Sequence, residues 1–422
     1  MTQNATVWLP YAQMQTIHSP FEVSATQGSV LTLKDGRRLV DGVASWWTSC
    51  HGYNHPHLLQ ALQKQSTKLM HVMLGGLIHE QAISLASRLA NLLPPSLEYV
   101  FYSESGSVAV EVAMKMALQY WINKGENQRQ QFIYFEHGYH GDTFFTMSVS
   151  DPQDGIHPPL AHLLPKQLIQ KIPQNEIELA AFEAWLLQHQ TTIAGMIIEP
   201  LVQGAGGMKM VESKDLNALI TLCQKYHVLV IVDEIFTGFG RTGSMFAIEQ
   251  AHVEPDIICL SKALTAGTIP LAATIANKKV YDAFLDTDFS KALMHGTTFM
   301  GNALACACAN ASLDLFEQEP RLAQVADIEG ILKSELLPLQ DVHGVKEVRV
   351  KGAIGTVQLE RHLDSDLNWF KHRFIDEGVW CRPFGDIVYT TPALNISIDE
   401  LLQITKAMAK LIKIWSDQRY NK

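Results

Sequence analysis

Short runs of β-favouring residues alternate with longer amphipathic stretches through the middle of the chain. Apolar runs of strand type occupy residues 99–102, 132–135, 195–198, 228–232 and 256–260. Stretches of helix type lie between them at residues 107–121 and 216–226. This alternation is typical of βαβ units and predicts an α/β fold with a mostly parallel sheet. Functional side chains are then expected outside the carboxyl ends of the strands, where such sheets bind their ligands.

The two ends of the chain have a different pattern. Residues 20–45 contain Gly-bearing turn signals between apolar runs, which predicts hairpins. Beyond about residue 310, helical stretches flank short strands, and a last helix is expected at residues 398–415. We therefore expect a large domain from residues 56–310 and a small α+β domain built from both termini, residues 1–55 and 311–422.

The chain carries little charge, and the balance is acidic. Of 422 residues, 33 are Lys or Arg and 43 are Asp or Glu, so the formal net charge is −10. Because there is no basic block, nucleic-acid binding is not expected. The charged fraction is 18%, below the roughly 25% usual for soluble domains, so we expect another subunit to cover part of the surface.

The sequence also bears on the compartment. The first residues have neither a basic n-region nor an apolar h-region, and no apolar run reaches about 20 residues. The cysteines, at positions 50, 223, 259, 306, 308 and 381, form no CxxC pair. We therefore expect a cytoplasmic protein with reduced thiols and no membrane span.

Lys262 is the single charged residue between positions 257 and 277, directly after a predicted strand. Desolvation in apolar surroundings lowers the pKa of a lysine. A neutral amine is the form that condenses with an aldehyde. Taken alone, a lysine that extends from a loop into solvent is the more common case.

Asp233 makes the chemical interpretation of Lys262 stronger. It ends the strand predicted at residues 228–232, about one βαβ step before the lysine. A cofactor with an aldehyde and a pyridine nitrogen needs both groups, since the lysine binds the aldehyde carbon and the aspartate keeps the ring nitrogen protonated. The alternative for Asp233 is a helix cap or a loop carboxylate.

Two further segments fit such a cofactor. Residues 103–107 place small side chains at the start of a predicted helix, where free N–H groups can bind an anion. Simple N-capping by Ser105 or Ser107 is the alternative. Residues 138–142 follow a predicted strand, and Tyr139 in this segment can stack on a cofactor ring or plug the loop.

Together these segments resemble the class III aminotransferases, which are pyridoxal-phosphate enzymes of fold type I. The resemblance covers nearly the whole chain, and its most specific blocks are DEIFTGFGRTG at residues 233–243 and SKAL at 261–264. It implies pyridoxal 5'-phosphate as cofactor, bound covalently by Lys262. The same resemblance implies that Asp233 pairs with the ring nitrogen of the cofactor.

The resemblance also assigns the rest of the cofactor site. It implies that Gly106 and Ser107 bind the phosphate and that Tyr139 packs on the ring. Thr297 and Thr298 resemble a phosphate-binding segment that reaches across from a neighbouring subunit, which implies a homodimer with shared active sites. Thr297 stands where a proline is usual, so its backbone is freer.

Several blocks resemble one branch of the family, which transfers the amino group of S-adenosylmethionine to 8-amino-7-oxononanoate in biotin synthesis. The discriminating blocks are the pair Trp46-Trp47 and WCRPFG at residues 380–385. The resemblance implies Tyr11 as a catalytic residue beside Lys262 and Asp233. The implied substrate contacts are Tyr11, Trp46, Tyr139, Arg241, Lys262, Gly296 and Arg382.

The residue types suit that acceptor, which is a long apolar chain ending in a carboxylate. Trp46, Trp47 and Tyr11 can form an apolar wall with one hydroxyl. Arg382 can bind a carboxylate through two parallel hydrogen bonds. Without the resemblance, core packing of the tryptophans and a surface ion pair of the arginine would be the simpler interpretations.

The sequence also has alternative functional interpretations. Lysine is an alternative amino donor, and another class III omega-aminotransferase of the lysine, ornithine or GABA type is the alternative function. Phe236 stands where many ornithine- and GABA-type relatives carry glutamine, which argues against those branches. Residues 238–243 match GxGxxG, but they do not form the first turn after the strand, so a dinucleotide site is not expected.

No metal site is expected from the histidine and cysteine pattern. The candidate histidines lie in loops and lack a helical HxxxH spacing. The pair Cys306 and Cys308 falls in an Ala-rich helical stretch, where cysteine acts as a small apolar residue.

Overall fold

The computed structural model describes residues 6–17, 19–152, 158–364 and 366–420. The strands are β1 (Val23–Gln27), β2 (Val30–Leu33), β3 (Arg38–Asp41), β4 (Leu97–Ser103), β5 (Gln131–Phe135), β6 (Leu168–Gln170), β7 (Ile193–Ile198), β8 (Val202–Gln203), β9 (Lys209–Met210), β10 (Leu229–Asp233), β11 (Ile257–Leu260), β12 (Ala272–Asn277), β13 (Val345–Lys351), β14 (Ile354–Leu359), β15 (Val379–Trp380) and β16 (Ile387–Thr390).

The α-helices are distributed between these strands. They are α1 (Pro56–Ser66), α2 (Glu80–Leu92), α3 (Gly106–Asn123), α4 (Phe144–Met147), α5 (Glu176–His189), α6 (Ser213–Lys225), α7 (Ala247–Ala251), α8 (Lys278–Asp282), α9 (Ala303–Gln318), α10 (Arg321–Leu336), α11 (Asp366–Asp376) and α12 (Ile398–Tyr420). Short 3-10 turns cover Pro158–Leu163, Lys262–Thr265, Phe289–Lys291 and Leu337–Asp341.

The central sheet has seven strands in the order β4-β12-β11-β10-β7-β5-β6. β12 pairs antiparallel with both β4 and β11, and the remaining neighbours pair in parallel. Six strands therefore share one direction, which confirms the predicted α/β fold. All five residues of β10 are buried, as expected for a strand that helices cover on both faces.

Alternate residues of the central strands enter two separate cores. Val230 and Val232 belong to the core on one face of the sheet, and Ile231 belongs to the core on the other. Helix α3 packs in the second core and buries nine side chains. Burial extends around most of this helix, since residues such as Ala113 and Met114 are buried, although Val108 is only half-buried.

Both termini contribute to the smaller sheets. β1, β2, β3 and β15 form one sheet, so a strand near the end of the chain pairs with an N-terminal strand. β13, β14 and β16 form an antiparallel sheet. This agrees with a small α+β unit built from both ends, while the domain boundaries stay a prediction.

The carboxyl ends of the parallel strands meet along one edge of the central sheet. The chain leaves β4 at Glu104, β7 at Glu199, β10 at Glu234 and β11 at Ser261. This edge therefore collects ionisable side chains from sequence-distant segments. Within the described ranges, no helix combines the length and the apolar character that crossing a membrane requires.

Candidate active site

Lys262 lies one residue beyond Ser261, where the chain leaves β11, and its amine is close to two aromatic rings. Its Nζ is 4.3 Å from the ring centre of Trp47 and 5.9 Å from that of Phe236. Burial lowers the pKa of Lys262 to about 8, although the nearby carboxylates, chiefly Asp233 and Glu199, raise it. Burial therefore has the larger effect, and a neutral amine becomes accessible close to physiological pH.

Asp233 ends β10 and shares a buried hydrogen bond with His140. Oδ2 of Asp233 lies 2.8 Å from Nδ1 of His140, and their side chains are only 5% and 1% exposed. The other carboxylate oxygen accepts a hydrogen bond from the backbone N–H of Ile235. The carboxylate is therefore fixed at the sheet edge. The sequence prediction missed His140, although its place beside Tyr139 was a usable signal.

Asp142 joins the two predicted tyrosines. The hydroxyls of Tyr11 and Tyr139 donate to its two carboxylate oxygens over 2.5 and 2.8 Å. Its backbone N–H donates to the Oγ of Ser107. Burial and the Asp142 carboxylate raise the pKa of Tyr11 to about 12, and burial raises that of Tyr139 as well, so both phenols remain protonated. Asp142 was also missed by the sequence prediction.

Glu199, the first residue after β7, supports the segment that carries Tyr139. Its carboxylate accepts hydrogen bonds from the backbone N–H groups of Tyr139 and Gly204, over 3.0 and 2.9 Å. Burial raises the pKa of Glu199 to about 7 against the opposing effect of His140. The carboxylate thus determines where the Tyr139 loop lies, and nothing in the local sequence pattern indicated it.

The N-terminus of α3 has the local structure that an anion site needs. Ser105 caps the helix, and its Oγ accepts from the backbone N–H of Val108. At Gly106 a Cβ atom would lie 2.9 Å from the side chain of Ile235, so only glycine fits without a shift. The first turn therefore presents its remaining N–H groups beside Ser107, where the helix dipole favours an anion.

Trp46 and Arg382 meet at the mouth of the site. The guanidinium carbon of Arg382 lies 4.5 Å from the ring centre of Trp46, and the Tyr11 ring meets the same indole edge-on. Burial lowers the pKa of Arg382. Within the described part of the chain, no carboxylate pairs with this guanidinium. It is therefore available to a carboxylate ligand.

The backbone that presents Trp46 is left-handed. Ala44, Ser45, Trp46 and Trp47 have φ values of 44°, 50°, 57° and 72°. For L-residues this conformation costs roughly 1–2 kcal/mol per residue, because Cβ approaches the following carbonyl oxygen. Strain of this kind is found where surrounding contacts over-determine the backbone, often at functional sites.

The remaining predicted residues have no contact recorded with this group among the described residues. The Arg241 guanidinium is buried and donates to the backbone carbonyls of Ala353 and Pro392, and burial lowers its pKa to about 10. Thr297 donates to the carboxylate of Glu104 over 2.6 Å, whereas Gly296 and Thr298 are exposed. A substrate role for Arg241 and for residues 296–298 therefore stays a prediction.

One chain of contacts unites five of the predicted residues. Trp46 contacts both Arg382 and Tyr11, and Tyr11 is linked through Asp142 to Tyr139. The amine of Lys262 contacts the ring of Trp47, which is the next residue after Trp46 in the chain. In the described ranges no group of three or more His, Cys, Asp or Glu side chains could hold a metal ion.

This arrangement can be compared with known proteins. Residues 11–412 match the family described as aminotransferase class-III. The chain belongs to this family. Pyridoxal phosphate is therefore the cofactor, and transamination is the activity. The buried amine of Lys262, the fixed carboxylate of Asp233 and the capped N-terminus of α3 fit the aldehyde, the ring nitrogen and the phosphate of that cofactor.

Individual family members show how far the likeness extends. The adenosylmethionine-8-amino-7-oxononanoate aminotransferases of Buchnera aphidicola subsp. Acyrthosiphon pisum and Corynebacterium glutamicum are each 42% identical to this chain. Each match covers 96% of this chain and 96% of the relative. The crystal structure of the enzyme so named from Methanocaldococcus jannaschii has a TM-score of 0.92 at 31% identity, covering 97% of each chain. A PLP-bound amine transaminase from an uncultivated Pseudomonas species has a TM-score of 0.91, also at 31% identity, covering 97% of this chain and 98% of its own.

Proposed function

We propose that this class III aminotransferase transfers the amino group of S-adenosylmethionine to 8-amino-7-oxononanoate, forming 7,8-diaminononanoate for biotin synthesis. Relatives named for this reaction match nearly the full length of the chain. The observation that carries the proposal is the contact between the Arg382 guanidinium and the Trp46 ring. A carboxylate-binding cation beside an aromatic wall suits a long apolar acid.

The acceptor site combines one cation with aromatic rings. Arg382 binds the carboxylate of the acceptor, since its planar fork matches two oxygens. Trp46 and Tyr11 contact the methylene chain, where burial of apolar surface favours binding. The protonated hydroxyls of Tyr11 and Tyr139, held by Asp142, donate to polar groups of the substrate.

The catalytic work falls to residues at the sheet edge. When bound, pyridoxal phosphate supplies an aldehyde that takes up the amino group and a ring that stabilises negative charge during proton transfer. Lys262 binds the cofactor and moves the proton, as general base and then general acid. Asp233, oriented by His140, keeps the ring nitrogen protonated. Gly106 and Ser107 would hold the phosphate, and Tyr139 would pack on the ring.

S-adenosylmethionine is the proposed amino donor, because the relatives are named adenosylmethionine-8-amino-7-oxononanoate aminotransferase. Phe236 supports a branch distinct from the ornithine and GABA enzymes, because its buried apolar ring, whose centre lies 4.3 Å from that of Trp47, stands where many of those enzymes carry glutamine. Lysine is the alternative donor, and another class III omega-aminotransferase is the alternative enzyme.

We also propose a homodimer whose subunits share active sites. Apolar side chains are exposed on two segments, residues 70–78 and 294–299. The segments adjoin, because the rings of His71 and Phe299 lie 4.8 Å apart. An apolar surface of this kind is typical of a subunit interface, and a neighbouring subunit could then present Thr297 and Thr298 to the phosphate.

A cytoplasmic location completes the proposal. All six cysteines are buried and unpaired. Reduced thiols of this kind are usual in the cytosol, where disulfides are rare.

The donor half-reaction tests the proposed function. The purified holoenzyme is mixed with one amine at a time, and the visible absorption of the cofactor is followed. S-adenosylmethionine should bleach the visible band, and 8-amino-7-oxononanoate should restore it. If ornithine or GABA bleaches the band while S-adenosylmethionine and lysine leave it unchanged, the proposed branch is wrong.

A further inference from the structure

The left-handed turn Ala44–Trp47 needs a source of stabilisation. Its four positive φ values belong to non-glycine residues, each of which prefers a right-handed or extended backbone. A free peptide of this sequence would leave the conformation. Contacts from outside the turn must therefore hold it.

The carboxylate of Asp41 supplies those contacts. Asp41 ends β3 and is buried. Its Oδ1 accepts from the backbone N–H of Val43 over 2.8 Å, and its Oδ2 accepts from that of Ser45 over 2.9 Å. The Tyr53 hydroxyl donates to Oδ2 as well, over 2.5 Å. All three contacts require acceptor oxygens, and two of them fix the entry to the turn.

The same strand pair also carries Arg382. Asp41 pairs with Trp380 of β15, two residues before the arginine. At Gly42 a Cβ atom would lie 2.8 Å from the Sγ of Cys381, so the two segments approach closely. The pairing of β3 with β15 therefore fixes the position of the turn relative to Arg382.

The turn places the consecutive rings of Trp46 and Trp47 in different parts of the site. Trp46 meets the guanidinium of Arg382 and the ring of Tyr11. Trp47 covers Lys262. If the turn relaxed to a right-handed conformation, the side chain of Trp46 would leave Arg382, and the acceptor would lose its aromatic wall.

We propose that Asp41 is a positioning residue for the acceptor: its carboxylate keeps residues 44–47 left-handed and so holds Trp46 beside Arg382. This inference rests on the proposed function, in which Arg382 and Trp46 bind the oxo acid. Asp41 acts through the backbone N–H groups of Val43 and Ser45.

The test replaces Asp41 by asparagine, which keeps the side-chain size and removes one acceptor oxygen. Affinity for 8-amino-7-oxononanoate is measured on the holoenzyme by calorimetry, and the donor half-reaction is followed by absorption. D41N should weaken acceptor binding about tenfold, the effect of losing roughly one hydrogen bond to a charged group. The apparent affinity for the donor should change less than about threefold, because its recognition does not depend on Arg382.

Asp256 offers a matched control. It is also buried, and its carboxylate accepts from the backbone N–H of Val230 and from Asn277, at the opposite end of the central sheet. D256N should lower the melting temperature and leave both affinities unchanged. If D41N lowers only the melting temperature and keeps the acceptor affinity, Asp41 has a purely structural role and the inference is overturned.

Two further variants keep the outcome decisive. If D41N does not fold, Tyr53→Phe removes a single hydrogen bond to Asp41, and it should weaken acceptor binding in preference to donor binding; equal effects on both would contradict the inference.

Arg382→Ala separates the two proposals. If Arg382→Ala loses acceptor affinity while D41N keeps it, only the inference fails, and if Arg382→Ala keeps it, the proposed acceptor site itself is wrong.

Discussion

The amine of Lys262 lies 4.3 Å from the centre of the Trp47 ring. The lysine leaves the central sheet after β11, and the tryptophan comes from the N-terminal left-handed turn. The surroundings of the reactive amine are therefore built by two segments that are far apart in sequence. This arrangement reduces the contact of the amine with water and is a physical reason for its lowered pKa.

The lowered pKa predicts how stability depends on pH in the cofactor-free protein. The pKa of Lys262 falls from 10.5 to about 8 on folding, which corresponds to roughly 3 kcal/mol of destabilisation while the amine is charged. Between pH 8 and 10.5 the unfolded chain binds a proton that the folded chain has released, so this destabilisation disappears as the pH rises. Lys262→Met should raise the melting temperature at pH 7 and have little effect above pH 10.5, as measured by calorimetry. A difference that does not vary with pH would contradict the desolvated amine.

Covalent attachment of the cofactor can be measured by mass spectrometry. Borohydride should fix the cofactor to the wild-type chain, and Lys262→Ala should show no added mass, since the attaching amine is gone. Lys209→Ala is the matched control, because burial lowers the pKa of Lys209 too but this lysine hydrogen-bonds to Gln358 in a different cavity. Attachment that survives in Lys262→Ala would mean that another amine binds the cofactor.

Removal of the Arg382 guanidinium should affect the acceptor selectively. Arg382→Ala should raise the KM for 8-amino-7-oxononanoate about 10- to 100-fold, as expected for a charged hydrogen-bonded pair. Arg382→Lys should recover only part of the loss, because an ammonium lacks the planar fork. Arg37→Ala is the control, since Arg37 also lies over an aromatic ring, that of Phe21, but forms an exposed pair with Asp35. A comparable loss for donor and acceptor would contradict the assigned role.

The shared carboxylate of Asp142 predicts a coupled effect on both tyrosines. Asp142→Asn replaces one acceptor oxygen by a donor, so one of the two phenols loses its partner. We expect kcat/KM to fall about 10-fold or more, with little change in melting temperature because the site is partly exposed. Tyr11→Phe combined with Asp142→Asn should cost less than the sum of the single effects. Asp314→Asn, at a carboxylate that binds Arg88, is the control and should leave kcat/KM unchanged.

The proposed dimer can be tested on its exposed apolar segment. Phe299 is 58% exposed beside the segment 70–78. Phe299→Asp places a charge in the proposed interface and should shift the protein towards the monomer in light scattering, with loss of cofactor affinity if the partner completes the phosphate site. Ile177→Asp is the control, because Ile177 is 84% exposed on α5. An unchanged mass for both variants would place the interface elsewhere.

Much of the architecture is local information that the sequence carries. Continuous apolar runs such as that of β10 predict buried parallel strands because their pattern has the period and length of a strand. Lys262 and Asp233 were identifiable since each directly follows or ends such a run, which puts it at the carboxyl edge. The roles assigned to the cofactor and substrate residues came from the family resemblance and are open to the experiments above.

The contacts that link these residues depend on tertiary structure. His140, Asp142 and Glu199 stand in no periodic pattern with their partners, and their positions follow from where loops of different strands converge. The left-handed turn held by Asp41 is likewise invisible in a local pattern, because non-glycine residues do not prefer that conformation. The sequence by itself determined the order of the chemistry-bearing segments along the chain and the residue types available. Only the folded chain decided which carboxylate orients which ring, because hydrogen bonds and burial act across space and not along the chain.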